Sequence, residues 1–230
     1  MIARPVWLLL GLLGAPLVGA EAAEELLYDQ PDWWSLTAKA GVVPGVASLH
    51  ARAVDTQGSK ALNRRVAVNP GLSTQVAIEG RWQSWRSQEY GLAWSAAVFH
   101  RRQTGGVGGV GATMRSLGVE GGYDVMWGPP VDYPVDVAIG PRLALGRAWQ
   151  SEGNLDLMQA GQGVLFSYGV TAGVTAGLVG DLTGVVEIGY QGFVATTTRT
   201  VSPATTLVGD GHMTYSGQGM VLSIGVGWEM

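Results

Sequence analysis

Acyl or phosphoryl chemistry needs a base and a nucleophile, and this 230-residue chain offers few. His50, His100 and His212 are its only imidazoles, and there is no cysteine. An acyl-transfer centre would set such a base beside a hydroxyl and an orienting carboxylate. His212, Asp210 and Ser202 form one grouping that can be read this way. No hydrolase motif surrounds any of the three histidines, and dispersed histidines without cysteine make no recognisable metal set. The run TGGVGGVG at 104–111 contains a formal G-x-G-x-x-G at Gly106, Gly108 and Gly111. A dinucleotide site would need a helix opening directly after it, and no helical pattern follows. The run reads as a flexible surface loop. The sequence therefore assigns no catalytic residue, no metal ligand and no cofactor.

The charged residues are more coherent. Lys39, Glu79, Arg81, Glu120, Asp124, Asp136, Arg142 and Glu187, with Glu229 near the end, each alternate with apolar neighbours and fall on the side opposite to them. Brought into one narrow interior, opposite charges must pair, because an unpaired buried charge is very costly. The set reads as a plug of ion pairs, with a narrow ion path past Arg142 and Glu120 as the alternative. A second set, Arg64, Arg65, Arg101, Arg102, Arg115 and Arg147, lies at strand ends and in long connections, together with Arg52, Lys60 and Arg199. Arginine matches phosphate geometry, so contact with phosphate-bearing headgroups is expected of these residues. The overall balance, a formal charge of -4, gives no reason to expect nucleic acid.

The elements that must position these residues are strands. In GVLFSYGVTAGVTAGLVG at 163–180, Val164, Phe166, Tyr168, Val170, Ala172, Val174, Ala176 and Leu178 alternate with Ser, Thr and Gly. That is the period of a β-strand. A soluble antiparallel sheet would carry Lys, Glu or Arg on its wet face, and this stretch has no charge. Charged residues make up 14% of the whole chain, against about 25% in ordinary soluble domains. Similar alternation predicts strands near 34–54, 72–83, 89–101, 113–127, 135–149, 163–179, 182–196 and 215–230. The phase in the first becomes unclear beyond Pro44, where a proline favours a bulge. Short connections at 83–88, 128–134 and 180–181 alternate with long ones at 55–71, 102–112, 150–162 and 199–214. The expected fold is all-β, an eight-stranded antiparallel up-and-down transmembrane β-barrel, with apolar residues toward lipid and polar residues toward the lumen. Closure is obligatory, since an open edge in hydrocarbon would strand backbone polar groups.

Residues 1–22 read as a secretory signal peptide: Arg4, an apolar stretch, and Ala20-Glu21-Ala22 as the cleavage site. Val18-Gly19-Ala20 is an equally ordinary site two residues earlier. A short periplasmic lead, 23–33, and the barrel, 34–230, follow. At the C-terminus Met220, Leu222, Ile224, Val226, Trp228 and Met230 occupy alternate positions. This resembles the terminal signature of bacterial outer-membrane β-barrels, and the chain over 34–230 is similar to small eight-stranded barrels of the OmpA/OmpX type. The family's usual last residue is Phe, where this chain has Met230. The resemblance implies an outer-membrane location, insertion by the barrel-assembly machinery through the last strand, and a surrounding of outer-membrane lipid and lipopolysaccharide. Trp34, Trp82, Tyr90, Trp127 and Trp228 fall at one end of the strands and Trp149, Phe166, Tyr168 and Tyr215 toward the other, as two interfacial girdles would.

The function expected from these features is non-enzymatic: a structural or surface-interaction barrel, monomeric because eight strands already close a filled interior. Its extracellular loops would contact lipopolysaccharide or external partners. A narrow pore is the alternative, and a lipid A-modifying barrel enzyme a third reading.

Overall fold

The structure, a computed structural model, describes residues 34–54, 61–86, 90–107, 110–127, 135–153, 161–200 and 210–229; the expected signal peptide and lead lie outside them. All regular structure among the described residues is β. The strands are β1 (Trp34–Val43), β2 (Ser48–Val54), β3 (Ala61–Ala67), β4 (Asn69–Pro70), β5 (Ser73–Arg86), β6 (Tyr90–Val107), β7 (Val110–Trp127), β8 (Val135–Gly153), β9 (Gln162–Val179), β10 (Leu182–Thr200) and β11 (Asp210–Glu229). Eight of them form a ring in the order β1-β5-β6-β7-β8-β9-β10-β11, closed by antiparallel pairing of β1 with β11 from Ser35↔Glu229 to Val42↔Leu222. The start of β1 and the end of β11 therefore share one end of the barrel, called here the terminal end. The β9–β10 turn at that end needs only Gly180 and Asp181. Gly180 has φ +58°, the left-handed conformation that two-residue hairpins require.

Alternation sets which face each side chain takes. Outward-facing apolar residues occupy 90–98 on β6, 186–194 on β10 and 220–228 on β11, with Trp94, Val98, Ile188, Ile224 and Trp228 all more than half exposed. Each span matches the roughly nine to eleven residues with which a tilted strand crosses hydrocarbon. At the terminal end Trp34 lies opposite Trp82 and Trp82 opposite Trp94. Trp94 in turn packs on Tyr123, ring centroids 4.5 Å apart. With Tyr90, Trp127 and Trp228 these form an outward aromatic girdle.

Most long strands continue past this band, and there the pattern inverts. On β10 and β11, Thr196, Thr198 and His212 face out while Ala195, Met213 and Tyr215 face in. Outside lipid a strand meets water, so the polar face turns outward and the apolar face inward. Together with Val46, Leu49, Phe99, Met114, Leu165 and Phe193, these inward residues fill the loop end of the lumen as an apolar plug. Tyr215, expected in the second girdle, is fully buried in it. Phe166 and Tyr168 do face outward, with Trp149 half-buried.

The path of β1 breaks at Pro44, whose missing N–H cannot continue a ladder. Residues 44–47 then lie between β11 and β6, with the Val46 N–H donating to the Thr104 carbonyl (3.0 Å) and the Ala47 N–H to the Ser216 carbonyl (2.9 Å). Gly45 permits this approach, since a Cβ there would stand 2.6 Å from the Gly71 oxygen and 2.7 Å from the Thr104 oxygen. Beyond it β2 pairs with both β11 and β3. The connection expected as a long loop over 55–71 thus contains a hairpin strand. The glycine-rich run is likewise strand on both sides of residues 108–109, with Gly106 opposite Gly111 and Val107 opposite Val110. Expected as a flexible surface loop, its described residues are instead part of the wall, where Gly105 packs against Val46.

Candidate functional site

Two sets of side chains carry the barrel's charge chemistry. The first is in the lumen, toward the terminal end. β1 brings in Lys39, β5 Glu79 and Arg81, β7 Asp124, β8 Arg142 and β10 Glu187, each on the inward parity of its strand and each less than a tenth exposed. Lys39 Nζ lies 2.7 Å from both Glu79 Oε1 and Glu187 Oε1. Arg81 Nη2 reaches Glu79 (3.3 Å), Glu187 (3.4 Å) and Asp124 (3.6 Å). Arg142 grips Asp124 with both terminal nitrogens, at 2.6 and 2.9 Å. Ser223 Oγ donates to Glu187 Oε2 at 3.1 Å. Three cations thus meet three anions, and the group is neutral as a unit.

Two glycines make room for the Arg142–Asp124 pair. A Cβ on Gly122 would stand 2.4 Å from Arg142 Nη1, and one on Gly140 would stand 1.9 Å from the Tyr123 carbonyl and 2.5 Å from Asp124 Oδ1. Asp136 is on the same face, half-buried and opposite Thr175 in register.

Glu120 is half-buried nearer the loop end, and its partner corrects one expectation. Arg101, read from sequence as a candidate lipopolysaccharide contact, is 1% exposed. It faces the lumen because β6 does not stop there. The inward parity of Ala93, Ser95, Ala97 and Phe99 simply continues, and only Arg102 faces out. Arg101 Nη2 pairs with Glu120 Oε2 at 2.5 Å, Nη1 donates to Ser167 Oγ at 2.8 Å, and Nε donates to Gln75 Oε1. Gln191 Nε2 adds a second donor to Glu120 at 3.3 Å, and the guanidinium carbon lies 4.0 Å over the Phe99 ring. Gln75, Ser167, Gln191 and Ser223 join the charge networks as neutral partners, a role the sequence reading did not assign to them. The signal for them was their inward parity, which neutral side chains display less loudly than charged ones.

The second set is outside, just above the apolar band on β6, β7 and β8. His100, Arg102, Arg115 and Arg147 are all exposed on the outer face. Arg102 sits directly opposite Arg115, and His100 opposite Leu117. Arg115 is also opposite Trp149, and Leu117 opposite Arg147. Arg147 donates to Gln162, while no described carboxylate pairs with Arg102 or Arg115. Arg65 is exposed on β3 and donates to Ser48 Oγ at 3.3 Å. Arg64 lies on the same strand opposite Ala51, its side chain outside the described set. With Arg101 in the lumen, the rest of the set expected from sequence is divided between a β6–β8 cluster and β3 of the β2–β3 hairpin.

The histidines are separate. His50 Nε2 hydrogen-bonds Asn63 Oδ1 at 2.7 Å, His100 packs near Trp149, and His212 lies opposite Arg52. Ser202 is outside the described residues. Among those described, no group of His, Asp and Glu could hold a metal ion.

No protein-family model and no curated protein matches the chain. Solved structures do. The outer membrane protein OprG from Pseudomonas aeruginosa is similar over 86% of this chain and 95% of its own, with TM-score 0.55 and 12% identity. Neisserial surface protein A matches over 85% and 96% at TM-score 0.40 and 19% identity. Ail, the attachment invasion locus protein of Yersinia pestis, matches over 87% and 100% at TM-score 0.37 and 12% identity. At such identities the likeness is one of fold: the chain has the architecture of a small eight-stranded outer-membrane β-barrel.

Proposed function

With an outer-membrane barrel as the fold, we propose a non-enzymatic structural or surface-interaction protein whose lumen is closed and whose outer rim and loops contact lipopolysaccharide or external partners. The loop end faces outward and the terminal end the periplasm, after export by a cleaved signal peptide and insertion through β11; the barrel acts as a monomer. One contrast carries the reading. Inside, Lys39, Arg81 and Arg142 are matched by Glu79, Asp124 and Glu187, with the apolar plug above them. Outside, Arg102 and Arg115 face each other on the exposed wall with no described carboxylate beside them. A neutralised interior has little left to bind, whereas opposed like charges on a wall invite an anion.

A narrow pore is the competing reading, favoured by four buried polar atoms that, among the described residues, have no protein hydrogen bond: Arg81 Nε, Gln103 Oε1, Ser116 Oγ and Thr171 Oγ1. Planar-bilayer recording of the refolded protein separates the two. Silence across repeated insertions is the expected result; discrete, voltage-driven current steps overturn the closed-lumen reading. In parallel, lipopolysaccharide added to detergent-solubilised protein should raise the temperature at which the compact SDS band is lost. No rise, against a neutral-lipid control, removes the headgroup contact.

A further inference from the structure

The outer wall also carries an apolar groove that the charge pattern does not announce. Ala38 and Ala40 on β1 form its floor. Ala38 is flanked in register by Val226 and Ile78, and Ala40 by Ile224 and Val76. Two short side chains between four branched ones leave a lipid-facing channel of about 680 Å³, which runs past Val98 to His100 and Leu117. That volume lies within the roughly 300–1,000 Å³ of sites that hold small ligands.

The upper end of this groove is also the lower edge of the cationic cluster. His100 and Leu117, which line it, face each other across β6 and β7. Leu117 faces Arg147 on its other side. One alternation higher, Arg102 faces Arg115, and Arg115 faces Trp149, whose ring centroid is 6.3 Å from that of His100. Directly opposed like charges destabilise a sheet unless something anionic sits between them. Two guanidiniums can take a phosphate through paired, charge-assisted hydrogen bonds. An aromatic ring beside them suits the headgroup level.

We propose that the groove and the cluster are one site, and that its occupant is a phosphorylated, acylated glycolipid of the outer leaflet. A phosphate sits at Arg102 and Arg115, with Arg147 and His100 beneath it, and an acyl chain lies along Ala38 and Ala40. This rests on the headgroup reading given above and adds to it a place, a stoichiometry of one, and a requirement for the chain as well as the phosphate. Charge complementarity selects this occupant over a second copy of the barrel, whose matching wall would bring arginine against arginine.

Native mass spectrometry of the detergent-solubilised barrel with purified diphosphoryl lipid A tests it, with phosphatidylcholine as the neutral control. Wild type should retain one lipid A. Arg102→Gln with Arg115→Gln should weaken retention by about tenfold or more. Ala38→Leu with Ala40→Leu, which fills the groove while keeping the wall apolar, should do the same. Heat-modifiable mobility in SDS confirms that each variant is folded, and Ala38→Ser with Ala40→Ser, which leaves the groove open, should retain lipid A. If the arginine pair matters and the filled groove binds as wild type does, the joint site is overturned while the headgroup reading stands. If wild type retains no lipid A, or retains phosphatidylcholine equally, both fall.

Discussion

Replacing Asp124 by Leu would test whether the lumen is dry and tightly paired. Asp124 is fully buried and accepts two hydrogen bonds from Arg142, itself 4% exposed, while Arg81 Nη2 lies 3.6 Å away. Two charge-assisted bonds at about 1.5–3 kcal/mol each suggest a loss of a few kcal/mol. Breaking a buried ion pair from one side costs about 3–5 kcal/mol, because the remaining charge is stranded. The two routes agree, and they correspond to roughly two to three and a half powers of ten in the folding equilibrium. Arg142→Met should cost a similar amount by stranding Asp124. The double variant removes both charges and should be far less destabilised than the sum of the singles. The assay is urea unfolding in phospholipid vesicles, followed by the fraction of compact band in unheated SDS gels. Additive losses, or single losses below about 1 kcal/mol as for solvated pairs, would mean the side chains sit in a water-filled channel and the argument for a closed lumen fails.

Other expectations follow from neighbouring positions. Arg101→Met should destabilise the barrel, since it strands Glu120, yet leave lipid A retention unaltered; Arg102→Gln should do the reverse, as the two mass-spectrometric and unfolding readouts will register. Gly140→Val should abolish the heat-modifiable band, because its Cβ would collide with the Tyr123 carbonyl backbone as well as with Asp124. Phe193→Ala, emptying part of the apolar plug, should cost about 3–5 kcal/mol in the same urea titration; a loss under about 1 kcal/mol would show that the plug is loosely packed.

Where hydrocarbon constrains the chain, the sequence was legible. Lipid permits one face only, so Val186, Ile188 and Tyr190 against Glu187, Gly189 and Gln191 admit a single phase, and the inward positions of Lys39, Glu79, Arg81 and Arg142 follow from it. Beyond the apolar band that constraint lapses. Polar residues then mark the outside of a wet strand as readily as a loop, which is why Arg101 and Arg102 looked alike and β3, within 55–71, looked like a connection. The inverted stretch HMTYSG, with Met213 and Tyr215 inward, carried the signal of a soluble-type strand in plain view. The passage of residues 44–47 between β11 and β6 was not legible in any pattern. Proline marked the break, but the partners Thr104 and Ser216 are far away in sequence, and only the fold brings them near. The groove has no signature in the sequence for a related reason: Ala38 and Ala40 form a floor only once their taller neighbours on β5 and β11 are placed beside them.

The closing seam has a kinetic consequence. β1 meets β11 only from Ser35↔Glu229 to Val42↔Leu222, whereas β10 and β11 pair from Leu182↔Trp228 to Thr200↔Asp210. The shortest ladder within the ring therefore joins the two most distant parts of the chain, and although β2 adds Gly211↔Ala53 to Ser216↔Ser48 beyond the break at residues 44–47, this line bears the largest loop-closure entropy. Hairpins such as β9–β10 can zip locally, but zippering leaves a curved sheet with two raw edges until the last strand arrives. The ring should accordingly be slow to shut and quick to open at this one line, and slippage or insertion of a foreign strand during assembly should occur between β1 and β11 before anywhere else.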